Sequence, residues 1–443
     1  MFNKGYMPIL FSQGKKRWNS ISLPSSDFSW LPFSIQQDGD TFRPDPAFDL
    51  QTYTSQYIPA GTTYYVSMTG NDSNTGLSWA QAFRSVFTAT AKVDAALVYV
   101  DAGYYYRRFC AGMNPARNMA IIGVGNVYLT SDEYWETGAW AASGSHYNAT
   151  NTRTLSKCYD STNPDAFGDW GLMTLAANEA ACDATPNSWF KSGAGAISVR
   201  TWDGRVPDSN IRMIPTTVPY TMNGAQNKVA YINNIHFMGG NAPAILTAHA
   251  TPGVCRFYAE NCEFGYSVST TANCLAISGF TETMLFNCSV HGSLFADGLN
   301  YKIGGLAVAG YSVEYNVHSY SHGDSSADQP STTHDGIKLV RIMGEYEACA
   351  ATTILADVGG AVPNVGRIWN LGCEVHHPTN PATAGAGYVD AGVQAWYDRC
   401  YFHDLGANAK GFVVADAGSA IRHKNMRYDA VYANTNNGTF STY

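Results

Sequence analysis

The sequence predicts an all-β chain wound as a parallel solenoid, and three observations carry the prediction. First, a short signature recurs in the C-terminal half: Asn234-Ile235-His236-Phe237, Asn261-Cys262-Glu263-Phe264, Asn287-Cys288-Ser289-Val290, Asn316-Val317-His318-Ser319, Gly372-Cys373-Glu374-Val375 and Arg399-Cys400-Tyr401-Phe402. Its first positions step by 27, 26, 29, 56 and 27, and the 56 is two steps of 28 with Gly344-Glu345-Tyr346 at the middle, so one unit is one coil of a stack. Second, apolar and polar residues alternate within each unit, which points its second and fourth positions inward. Third, charged residues are only 14% of the 443, against roughly 25% in an average soluble domain, while 28 Tyr and 42 Gly favour strands and turns. The same composition excludes a coiled coil, a helical bundle and a disordered chain.

In chain order, residues 1–60, with Trp18, Trp30, Phe33, Pro44 and Pro46, lack the period and read as an attachment or packing segment, or a small oligomerising cap. Their apolar stretch at residues 7–11 is too short for a secretory signal, and Lys15, Lys16 and Arg17 follow it rather than precede it. No run approaches the roughly 20 apolar residues of a membrane span. The chain therefore reads as made without classical secretion and without membrane insertion.

The solenoid is expected over residues 61–435, with 436–443 as a tail. It opens on Tyr64-Tyr65-Val66-Ser67 and a turn from Gly70 to Gly76. Ser78-Trp79-Ala80-Gln81 has the form of a helix-start capping box, and Trp79, Phe83, Val86, Thr90 and Val93 follow at helical spacing. A short N-terminal helix is thus predicted to cover the open end of the stack, where bare strand edges would template aggregation. Residues 96–101 read as a strand. Residues 131–215 interrupt the period, and Ser188-Trp189-Phe190-Lys191, a Gly-rich turn and Ile197-Ser198-Val199-Arg200 predict an antiparallel hairpin within that insertion. The solenoid resumes near residue 228.

The net charge of −8 leaves no broad basic surface, so nucleic acid is excluded as a partner. Ten cysteines without a Cys-x-x-Cys read as a reduced, buried set, and stacking places Cys262 near Cys288 and Cys373 near Cys400 in an interior ladder. Asn261, Asn287 and Asn316 suggest an amide ladder for the same reason. His376-His377 and His403-Asp404 raise the question of a metal, but adjacent strand residues point to opposite faces, so surface histidines are expected. The turn at Gly70 to Gly76 lacks the terminal Glu of an EF-hand loop. No metal or cofactor is expected.

The segment Tyr64-Tyr65-Val66-Ser67-x-x-Gly70-Asn71-Asp72-x-Asn74-x-Gly76-x-Ser78-Trp79, followed by a helix and Val98-Tyr99-Val100-Asp101-Ala102-Gly103-x-Tyr105, resembles the opening of the pectate-lyase-like right-handed parallel β-helix superfamily. Trp189-Phe190 with Ile197-x-Val199-Arg200 and Asp203-Gly204 is similar to a hairpin insertion of some members. The resemblance covers roughly residues 60–435 and speaks for fold more than for activity, because such folds host lyases, hydrolases, epimerases and binding proteins. The missing signal and the distinct N-terminal segment favour its phage tailspike type. That type implies a homotrimer on the virion tail or baseplate, mounted through its N-terminus or released to the extracellular medium, which binds and cleaves a bacterial surface polysaccharide. The calcium triad of pectate lyases and the acid motifs of polygalacturonases find no residue-by-residue match here.

Polysaccharide hydrolysis needs two carboxyl groups about 5 Å apart for retention or roughly 6.5–9.5 Å apart for inversion. Acids at one register of adjacent coils lie about 5 Å apart and raise one another's pKa. Asp297-Gly298, Asp335-Gly336, Asp357-Val358-Gly359, Asp390-Ala391-Gly392 and Asp416-Ala417-Gly418 each sit beside a strand-like run and suggest such a register, although an Asp before Gly also caps turns. The densest candidates are Asp297, Glu314, His322, Asp324, Asp328, His334, Asp335, Lys338 and Arg341. The hydrolase reading makes Asp335 and either Asp297 or Asp324 the acid/base pair, with His334 tuning or orienting it.

The lyase reading uses His334 or Tyr301 as base and Arg341 or Lys338 as the enolate's partner, unless Arg341 pairs with Glu345 or Glu347. Substrate contacts are expected from Tyr301, Glu314, Arg341, Lys338, Asp357 and Trp396, with Tyr320, Tyr388 and Tyr397 as further stacking surfaces. A non-catalytic receptor-binding or structural virion protein is the remaining alternative.

Overall fold

A left-handed turn residue sets the geometry of each coil. In the structure, a computed structural model, Asn234, Asn261, Asn287, Asn316, Met343, Gly372, Arg399 and Asn425 stand at successive corners with φ between 52° and 60°. Asn tolerates this conformation better than other residues with a side chain because its short amide bonds locally. The amides do form a ladder: Asn261 donates to Asn233, Asn287 to Asn261 and Asn316 to Asn287 at 3.3, 3.3 and 2.9 Å. In the middle unit the turn residue is Met343, one position before the Gly344 that spacing alone suggested.

The structure describes residues 18–443 except 134–137, 194, 224–227, 248–253, 271, 305–309, 324–327, 348, 350–352, 360–365, 379–384 and 407–408. It is a parallel β-solenoid of about 11 turns. A first sheet precedes the left-handed corner and includes Val229–Asn233, Arg256–Glu260, Glu282–Phe286, Tyr311–Tyr315, Lys338–Ile342, Arg367–Leu371, Gln394–Asp398 and Ala420–Lys424. A second sheet follows it, from His236–Met238 to Arg427–Tyr428. The third sheet has nine parallel strands, among them Leu275–Ser278, Leu299–Lys302, Ser331–His334, Thr353–Asp357 and Gly385–Val389.

The interior follows the alternation read from the sequence. Ile235, Phe237, Cys262, Phe264, Cys288 and Val290 are all buried, and Phe237 stacks on Phe264 with ring centroids 5.4 Å apart. All ten cysteines are buried and none is in a disulfide, so the cysteine ladder is a packing feature.

The start of the stack differs in detail from its sequence pattern. Trp79–Gln81 forms a single 3-10 turn, and Ser78 makes no side-chain cap. The capping helix is Val86–Thr90, started by Ser85, whose hydroxyl accepts from the Thr88 N–H. The helix begins late because Phe83 is held extended beside the first strand: its N–H donates to the Tyr65 carbonyl and its carbonyl accepts from Ser67. Val86 and Ala89 then close the end of the core.

The predicted hairpin is present, with Trp189 opposite Val199 and Lys191 opposite Ile197. It belongs to a larger unit with its own apolar cluster, including Cys158, Trp189, Ile197, Val199 and Met213. That unit is tied to the second sheet by Asp169, 2.8 Å from His291 and accepting from the Tyr320 hydroxyl at 3.2 Å.

Residues 18–58 run as a strap along the outside of the first sheet. The residues three before each corner, Tyr231, Tyr258, Met284, Val313, Val340, Trp369 and Trp396, all point outward, and all are buried under it. Phe28 sits between Trp369 and Trp396 at 5.5 and 5.6 Å, and Asp27 bridges Arg367 (2.9 Å) and Lys338 (3.5 Å). An apolar outer column on a half-exposed sheet requires such a cover.

Candidate active site on the third sheet

In the third sheet, Leu299 and Tyr301 point inward, so Asn300 and Lys302 point outward. The register pairs Asn300 with Thr332 and Lys302 with His334 in the next coil, which places all four on one outer face. Asp297 stands at the corner before this strand. The Gly298 and Leu299 N–H groups donate to the Gln329 and Pro330 carbonyls and Leu299 pairs with Ser331, so Gln329 stands opposite Asp297 one coil on and Asp328 precedes it in the same turn.

The Asp297 carboxylate accepts from the Gln329 N–H at 2.8 Å and from the Asn300 amide at 2.7 Å. The Asn300 amide nitrogen lies 3.3 Å from His334 Nε2, and the Thr332 hydroxyl 3.4 Å from it. Asp297 is only 8% exposed. Burial, reinforced by the negative charge of Asp328, pushes its carboxyl up to about 6, against the pull of the Gln329 N–H, Asn300 and Lys302. Burial and then the Lys302 cation push His334 down from the ordinary histidine value, so its imidazole is neutral at neutral pH. Along this outer face stand a proton-holding carboxyl and a second carboxyl at the corner, and a neutral imidazole and a solvent-facing lysine at the strand's far end, with Asn300 linking Asp297 to His334. These are the parts of acid/base chemistry on a substrate lying along the sheet.

Several expected site residues stand elsewhere. Asp335 follows His334 with φ of 63°, at the opposite end of the strand from Asp297. A four-residue strand, about 13 Å at the usual rise, separates their levels, so the Asp297/Asp335 pair is corrected: the acids before glycines occupy different corners rather than one register. Asp324 lies outside the described residues.

Tyr301, Glu314, Arg341 and Asp357 are corrected as substrate contacts, because each is buried in the solenoid interior. Arg341 grips Asp357 through both terminal nitrogens at 3.1 and 3.3 Å, donates to Ser331 at 3.0 Å and Asn370 at 3.3 Å, and lies 3.8 Å from Glu314. The facing carboxylates hold its guanidinium well above the ordinary arginine range against the effect of burial. Glu345 and Glu347 are not its partners. Lys338 and Trp396 belong to the strap-covered face, so they too leave the substrate groove.

Counting back from the left-handed corner finds what the reading by motif missed. Glu314, Arg341, Asn370 and Tyr397 are each two residues before their corner and are mutual strand partners, which fixes them as one inward column. The same parity, applied from Tyr301, marks Asn300 and Lys302 as outward. A cavity of about 510 Å³ lies elsewhere, at the last coil, lined by His423, Tyr428, Asp429, Val431, Tyr432 and Phe440.

No protein-family model and no curated protein matches the chain. Among solved structures the chain is similar to one described as the complex structure of XylC with xylose, at 11% identity and a TM-score of 0.44, covering 83% of this chain and 70% of that one. It is also similar to one described as a glycoside hydrolase, at 8% identity and a TM-score of 0.43, covering 86% of this chain and 96% of the other.

Proposed function

We propose that this protein is a glycoside hydrolase that cleaves a bacterial surface polysaccharide, with Asp297 as proton donor and Asp328 as the second carboxylate. The observation that carries the reading is the Asp297 carboxyl, held protonated up to about 6 at a corner where the next coil supplies a second acid. Asp328 lies in the same turn one coil on, near enough for its charge to act on Asp297, and a retaining mechanism requires a pair about 5 Å apart. Asp297 protonates the departing glycosidic oxygen while Asp328 attacks the anomeric carbon. Water then breaks the glycosyl-enzyme bond, giving its proton to Asp297 and restoring the Asp328 carboxylate. Asn300, linked to His334, orients Asp297, and Lys302 supplies a cation for an acidic sugar.

A second reading, β-elimination, is favoured by one observation: His334 is neutral and next to Lys302, a base beside a cation able to steady an enolate. The resemblance of the sequence to tailspikes extends the proposal to a homotrimer mounted on a phage tail. Light scattering that finds three chains per particle supports this extension, and a monomer removes it.

The test is digestion of a panel of capsular and O-antigen polysaccharides, read for new reducing ends and for the ultraviolet absorbance of unsaturated sugars. Reducing ends without absorbance, with the product anomer retained, are expected. Absorbance moves the assignment to His334 and Lys302. Silence on a glycan that the protein binds overturns catalysis in favour of receptor binding.

A further inference from the structure

The outer face of the second sheet carries a column of histidines and carboxylates further along the stack than Asp297. Strand register aligns Glu345 with Glu374, and Glu347 with His376 and His403. The alternation that separates adjacent strand residues stops at His377, whose φ of 48° is left-handed. Its imidazole therefore turns back towards His376, and the two Nδ1 atoms lie 2.6 Å apart. This corrects the expectation that the His376-His377 pair is split between two faces.

Glu347 Oε2 completes a triangle, 3.4 Å from His376 Nδ1 and 3.8 Å from His377 Nδ1. All three donor atoms fall within 4.8 Å of one another. Ligand atoms on a tetrahedral ion with bonds of about 2.0–2.1 Å stand about 3.3 Å apart, so the triangle is the size of one face of such an ion's shell.

The atoms behind the triangle are placed as they are in metal sites. His376 Nε2 lies 3.1 Å from Glu345 Oε1, and His377 Nε2 lies 3.7 Å from Asp404 Oδ2. The Glu345 carboxylate at hydrogen-bond distance fixes the His376 tautomer that turns its Nδ1 lone pair to a metal, while Asp404 stands beside His377 at ion-pair distance only. Glu347 Oε1 is 2.9 Å from His318 Nε2, and His376 stacks on His403 at 4.5 Å and 13°. The His376 side chain is 7% exposed and that of His377 57%, so one side of the triangle is packed and the other faces solvent.

We propose that Glu347, His376 and His377 bind one divalent transition-metal ion of the zinc class, linking two adjacent coils and leaving a fourth position open to solvent. Two imidazoles and one carboxylate suit Zn²⁺, Co²⁺ or Ni²⁺, whereas Ca²⁺ and Mg²⁺ need shells dominated by oxygen. The proposal stands apart from the hydrolase reading, since it involves a different sheet and no residue of the Asp297 corner.

Titration calorimetry of tag-free, chelator-treated full-length protein with ZnCl₂ tests it. One Zn²⁺ per chain is expected, with affinity reduced at least about 10-fold in His377→Ala and in Glu347→Gln, and with Co²⁺ giving the visible bands of a tetrahedral site. His377 is exposed at a corner, so its variant keeps the fold, which circular dichroism verifies. Absence of stoichiometric Zn²⁺ binding, affinity unchanged from the wild type in both variants, or preference for Ca²⁺ or Mg²⁺ overturns the proposal.

Discussion

The interior column around Arg341 and the corner around Asp297 both take charged side chains out of water, and they resolve the cost in opposite ways. Arg341 has two carboxylates, Asp357 and Glu314, with Ser331, Asn370, Thr333 and Tyr346 completing the hydrogen bonds. Every charge there has a partner, so the group is fixed in one state and serves the stack. At the corner, Asp297 accepts from the Gln329 N–H and the Asn300 amide beside the like charge of Asp328, and its burial keeps its proton to about 6. A buried charge held between opposite charges builds structure, and a buried acid whose pKa burial has raised can give and take a proton near that pH.

The largest effect that separates the two regions is expected from Arg341→Ala. It leaves Asp357 and Glu314 buried without their cation and costs about 3–5 kcal/mol in urea unfolding, with the active corner unaltered in the surviving folded fraction. A cost under about 1 kcal/mol would mean that the column relaxes or admits water. Next, Phe28→Ala removes the ring between Trp369 and Trp396 and is expected to cost about 3 kcal/mol, with protease cleavage appearing first within residues 18–58.

Asp297→Asn sharpens the comparison from the other side. Activity is expected to fall about 10²-fold while binding survives, and in the wild type turnover is expected to be lost as pH rises through about 6. Because folding raises this carboxyl, the folded chain holds a proton that the unfolded chain releases above about pH 4. The stabilisation is present below about pH 4 and lost as pH rises through about 6, so the variant should gain about 2–3 kcal/mol on the wild type between those limits. A difference independent of pH would show that Asp297 is charged in the fold. The smallest effect is expected at the corner ladder: Met343→Asn, at φ of 54° beside Asn316, is expected to add about 0.5–1 kcal/mol, measured by thermal unfolding.

Much of the fold was legible because a stack repeats its own constraints. The recurring Asn marks the left-handed corner, and parity counted from it separates the inward Cys262 and Phe264 from the outward Glu263 without any coordinates. The same count would have placed Glu314 and Arg341 inside. They were read as surface groups because isolated charge favours water, and their compensation comes from Asp357 on another sheet. Asp297 and Asp328 were visible as acids, but the variable loop between the coils hid that they share a corner while Asp335 does not.

The solenoid, its corners, its cysteine and asparagine ladders and the hairpin follow from local patterns of alternation and turn preference repeated along the chain. Only the tertiary structure decided that residues 18–58 cover Tyr258, Trp369 and Trp396, that Arg341 is neutralised within the core, and that His376 and His377 converge on Glu347. Each of these depends on contacts between distant segments or on one backbone angle that breaks the alternation. A periodic pattern carries information about its own coil, whereas desolvation and charge pairing are set by whatever the rest of the chain brings to that surface.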